Sequence, residues 1–84
     1  MRGEKFMKKT NLKQYLWKGL DLKKYEVKKI IPQNSEHAVI LMKAYDPLCP
    51  HWCMEYCGNG YYFHTFMDMK RAYENRFRKT LEEE

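Results

Sequence analysis

The sequence predicts an α+β domain in which a short N-terminal helix precedes a three-stranded antiparallel sheet, with a long C-terminal helix packed on that sheet. Three observations carry this expectation. Residues 23–31 largely alternate between apolar and charged side chains, Ala38 to Met42 is an unbroken apolar run of strand length, and Phe66, Met69, Tyr73, Phe77 and Leu81 recur at helical spacing.

Residues 1–9 are basic and have no periodicity, which predicts a flexible tail ahead of a single domain over 10–84. Asn11 and Gln14 have the spacing of a capping box, Leu12, Tyr15 and Leu16 share a helical face, and Gly19 suits the position after a helix end. A helix over roughly 11–18 follows. The strand over 23–31 places Tyr25, Val27 and Ile31 on one side and Lys24, Glu26 and Lys28 on the other, with Lys29 breaking the alternation. Pro32 and the polar run Gln33 to Glu36 then turn the chain into a second strand over roughly 37–45. That strand is apolar on both faces as far as Met42, as expected of a central strand.

Asp46-Pro47, Pro50 and the Gly58-Asn59-Gly60 triplet bracket a segment read as a loop, and the aromatic run Tyr61 to Phe66 is the third strand. Thr65 with Asp68 three residues on opens the final helix, which continues to Leu81. Lys70–Glu74 and Glu74–Arg78 are ion pairs at i, i+4 along its other side, and the closing Glu82-Glu83-Glu84 opposes the helix dipole.

Composition bounds the function. A chain of 84 residues makes one domain that buries roughly 60–65% of its unfolded surface, leaving little room for an enclosed active site. No apolar stretch approaches the roughly 18 residues of a membrane span, and the charged N-terminus leads into no apolar signal region. The expected compartment is cytoplasmic. An odd count of three cysteines agrees, because secreted disulfide frameworks normally use an even number.

Those cysteines fall at Cys49, Cys53 and Cys57, within a segment that also holds His51 and precedes His64. A zinc site would take the three thiolates and His64, or else His51, as its fourth ligand, because zinc in structural sites is tetrahedral and Cys-x₃-Cys lies within the tolerated spacing. The preferred reading is three small apolar side chains beneath an aromatic loop, free cysteine being among the most buried residue types, and a disulfide between two of the three is a further alternative. No nucleophile, base and orienting group can be assembled from the pattern, and no phosphate-cradling glycine loop occurs. A non-enzymatic role is expected.

The net charge of +5 is concentrated, with ten Lys and Arg against three acids in residues 1–30. A basic half of this kind attracts nucleic acid. The leading expectation is therefore a binding module in which Lys8, Lys9, Lys13, Lys18, Lys23, Lys24 and Lys28 meet phosphates, with Trp17 and Tyr25 as stacking groups. The competing expectation is a protein-binding inhibitor or adaptor of the phage or mobile-element type. It would use the aromatic cysteine loop 46–62, with Trp52, Tyr56, Tyr61 and Tyr62 as the contact residues.

Overall fold

Five consecutive apolar residues, Ala38 to Met42, suit a strand only where both of its faces are covered. All five are buried. The computed structural model, which describes residues 12–81, places them in β2 (Ala38–Ala44). This strand lies between β1 (Tyr25–Pro32) and β3 (Trp52–Tyr56), and β4 (Asn59–Phe63) completes an antiparallel sheet of order β1-β2-β3-β4.

Helix α1 (Phe66–Phe77) covers one face, where Val39, Leu41 and Met54 pack with Met69, Tyr73 and Leu81. On the other face Leu16 and Leu20 of the N-terminal segment pack against Ile40, Met42 and Cys53. No helix among the described residues is long and apolar enough to cross a membrane. Lys8, Lys9 and the expected tail at 1–9 lie outside the described residues, as do Asn11 and the acidic residues 82–84.

The α+β class, the antiparallel sheet and the C-terminal helix agree with the sequence. Among the described residues the sheet has four strands rather than three, because the segment read as a cysteine loop contains β3. Trp52, Met54 and Tyr56 join the cluster under α1, whereas Cys53 joins the opposite cluster. Both faces of β3 are covered, so its apolar and polar positions do not alternate. The β3–β4 connection is a two-residue turn, Cys57-Gly58, with φ of 51° and 85°. Positive φ at both central positions makes it the type I′ turn, whose twist matches that of the flanking strands. Asn59 and Gly60, expected in a loop, pair with Tyr56 and Glu55.

The break in alternation at Lys29 has a structural cause in β1. The register shifts between Val27 and Lys29, so Lys28 is the extra residue of a β-bulge. Tyr25 and Val27 therefore pack with the N-terminal segment, while Ile31 packs with the α1 cluster. The single face expected for Tyr25, Val27 and Ile31 is corrected by this bulge.

Both helices are shorter than their apolar periods suggest. The N-terminal one is a 3₁₀ turn at Leu12–Tyr15, followed by a turn in which the Leu20 N–H donates to the Trp17 carbonyl at 3.0 Å. The Trp17 ring lies directly against Gly19, where any Cβ would collide with it. Helix α1 starts at the expected cap, Thr65, whose hydroxyl accepts from the Asp68 N–H at 3.1 Å. It stops at Phe77 because Arg78 turns left-handed, with φ 57° and ψ 36°. Leu81 thus reaches the core through a reversal of the chain. Glu74 holds that reversal, accepting from the Leu81 N–H at 2.8 Å and from Lys70 at 3.1 Å. Those two contacts hold its carboxyl below the usual carboxylate pKa.

Candidate functional site

The sheet face opposite α1 carries a cavity at each end. The first, about 430 Å³, is lined by Lys23, Lys24, Tyr25, Ala44, Tyr45, Asp46, Cys49 and His51. Its cationic rim is built locally, because Asp21 Oδ1 accepts from the backbone N–H groups of Lys23 and Lys24 at 3.3 and 3.2 Å. That turn places both lysines before β1 rather than in it, so the strand starts at Tyr25 and not at Lys23. The Tyr45 N–H donates to the Lys24 carbonyl at 2.9 Å, joining the turn to the end of β2. Tyr45 is 57% exposed, and on β4 Tyr62 is 65% exposed with its ring 6.2 Å from that of His51. Burial, and then the neighbouring Cys53 and Tyr62, raise the Tyr25 hydroxyl above its ordinary pKa.

The second cavity, about 390 Å³, lies under the N-terminal segment, with Tyr15, Trp17, Glu36, His37, Glu55 and Cys57 among its walls. Tyr15 fixes this end by donating to the Asn34 carbonyl at 3.0 Å. Asn34 in turn shapes the β1–β2 connection, its Oδ1 accepting from the Glu36 and His37 N–H groups at 2.8 Å. Glu55 is buried, and loss of water raises its carboxyl above the usual range despite a hydrogen bond from the Gly58 backbone.

The described residues singled out from sequence for nucleic-acid contact are distributed around this face. Lys13, Trp17 and Lys18 belong to the N-terminal segment, Lys23 and Lys24 to the turn, and Lys28 to the bulge of the edge strand. All six are exposed. Lys28 lies 3.5 Å from Glu26.

The four aromatic residues of the expected protein-contact surface do not share one. Trp52 and Tyr56 are half-buried, their rings edge-on to Phe66 at 5.0 Å and Phe77 at 5.1 Å. Tyr61 is half-buried and accepts from Arg76 at 3.1 Å. These three cover the core beside α1, whereas the exposed Tyr62 pairs with Cys53 on the other face.

The expected zinc ligands are likewise spread out. Cys49 is exposed in the loop before β3, Cys53 is buried within that strand, and Cys57 is exposed in the hairpin turn. Three residues lie between Cys53 and Cys57, and the four steps of the chain span about 13 Å at the usual strand rise. His64 is exposed just beyond β4. The three thiols are free, and among the described residues no three His, Cys, Asp or Glu side chains come together in a group that would hold a metal ion.

Sequence reasoning considered His51 only as a metal ligand and missed Tyr45 and Glu55. No local signal marks them: a carboxylate between Met54 and Tyr56 reads as an exposed position, and the partner of His51 lies 26 residues away. The chain matches no protein-family model, no curated protein and no solved structure.

Proposed function

We propose that this chain is a small non-enzymatic binding module that contacts nucleic acid through its basic N-terminal half. The observation that carries the reading is the Asp21–Lys24 turn, which holds two exposed lysines on the rim of a cavity that the exposed Tyr45 also lines. Ammonium groups beside accessible aromatic rings are what binding of a single strand uses, the cations on phosphates and the rings on bases. Lys13, Lys18 and Lys28 extend the phosphate contacts. Both nitrogens of His51 are engaged by the Cys49 carbonyl and the Tyr25 hydroxyl, so the ring has no free base to offer the Cys49 thiol. A protein-binding role through the segment 46–62 has weaker support, because only Tyr62 of its four aromatics is exposed.

Titration of a fluorescent single-stranded oligonucleotide by anisotropy tests this reading. Affinity should fall steeply between low and moderate salt, with a slope of about −0.7 per phosphate contact in a log–log plot. The double variant Lys23→Glu, Lys24→Glu should bind at least tenfold more weakly, about 1.4 kcal/mol. No complex with DNA or RNA at low salt would end the proposal.

A further inference from the structure

The second cavity has a chemistry at odds with the rest of this basic chain. Its described walls include Glu36 and Glu55 but no lysine or arginine. Glu55 is only 7% exposed, and its Oε2 is buried with no hydrogen-bond partner among the described residues. A buried acceptor without a donor is destabilising, and such groups in folded proteins call for an explanation. Glu55 pairs across the hairpin with Gly60 and is among the residues lining this cavity. Trp17, 45% exposed and backed by Gly19, forms another wall. The site therefore combines an aromatic surface, an acceptor lacking a donor and a volume within the range of small-ligand pockets.

We infer that this cavity takes one unstacked nucleobase bearing an exocyclic amino group, such as cytosine, stacked on Trp17 and donating its amino N–H to the Glu55 carboxylate. The inference rests on the nucleic-acid reading and adds base preference to it. A carboxylate accepts from the cytosine amino group and repels the carbonyl oxygen that thymine and uracil carry at the same position. Lys13 and Lys18, exposed on the segment that holds Trp17, are the groups for the flanking phosphates. The same two lysines disfavour a cationic protein side chain as the occupant, since it would approach through like charge.

The test compares labelled oligo-dC and oligo-dT of equal length on the full chain, by anisotropy at neutral pH and fixed low salt. Oligo-dC should bind about tenfold more tightly than oligo-dT, the low end of discrimination by a base-edge contact. Glu55→Gln should abolish that preference while leaving oligo-dT affinity at or above its original value, and Trp17→Ala should weaken both. Equal affinity of the unaltered chain for the two oligomers overturns the inference and leaves the nucleic-acid reading standing. A preference that survives Glu55→Gln overturns the inference in the same way. Failure to bind either oligomer overturns both, and binding of an arginine-rich peptide in their place assigns Glu55 to a protein cation instead.

Discussion

The Tyr25 hydroxyl donates to His51 Nε2 across 2.6 Å, and this pair joins the first residue of β1 to the loop that precedes β3. The direction of the bond follows from the other side of the ring. His51 Nδ1 lies 2.9 Å from the Cys49 carbonyl, which can only accept, so Nδ1 carries the proton and Nε2 is the acceptor. Backbone contacts support the same junction, because the Ala44 N–H donates to the His51 carbonyl at 3.0 Å. The floor of the lysine-rimmed cavity is thus held from β1, β2 and the loop together.

Tyr25→Phe leaves His51 Nε2 without its donor while keeping the ring. The expected loss is about 1–2 kcal/mol, the usual effect of stranding one member of a part-buried hydrogen bond. For a domain of this size that lowers the melting temperature by roughly 4–8 °C per kcal/mol, measurable by circular dichroism. A melting temperature equal to that of the unaltered protein would show that the bond contributes nothing to the fold.

Cys53 should behave differently from the other two thiols. Burial first, and then the nearby Glu55 carboxylate, push its pKa from 9.0 up to about 11. A folded-state value above the unfolded one means that the folded protein retains a proton which the unfolded chain releases. Stability is therefore unaffected below about pH 9 and falls as pH rises from 9 toward 11. At pH 8 iodoacetamide should label the exposed Cys49 and Cys57 quickly and Cys53 only on unfolding, which peptide mass mapping resolves. Equal labelling of all three in the folded protein contradicts this account.

Cys57 occupies a backbone conformation that suits it poorly. At φ 51° it is the first central residue of the type I′ turn, a position favouring asparagine, and Gly58 already supplies the second. Cys57→Asn should stabilise the protein by about 0.5–1 kcal/mol, because asparagine enters the left-handed region more readily than cysteine. Gly58→Ala should destabilise it by more than about 1 kcal/mol: φ is +85° and no atom lies within 4 Å of the added methyl, so the penalty is conformational. Urea unfolding of the two variants checks both signs.

Where the sequence reading erred, the deciding contacts are distant along the chain. The end of α1 is hidden by Leu81, which continues the helical spacing of Phe66, Met69, Tyr73 and Phe77 but reaches the core after the left-handed turn at Arg78. Gly19 reads as the residue after a helix over 11–18, yet the 3₁₀ turn ends at Tyr15 and the Trp17 ring packed on Gly19 belongs to the turn that follows. For the site, the sequence marked Lys23 and Lys24 through their charge and Trp17 through its size, but not the carboxylate that Trp17 shares a cavity with.

The sequence by itself determined the α+β class, the central apolar strand, the capped start of the C-terminal helix and the bias of positive charge toward the N-terminal half. Each rests on local periodicity, capping or composition, which act between neighbours in the chain. Tertiary structure alone decided that Trp52 to Tyr56 forms a strand, that a bulge at Lys28 sends Ile31 to the other face, and that Glu55 is buried beside Trp17. Those outcomes depend on which surfaces remain to cover the two faces of β2 and β3. Residues brought together by cross-strand pairing and packing carry no mark of it in their own stretch of sequence.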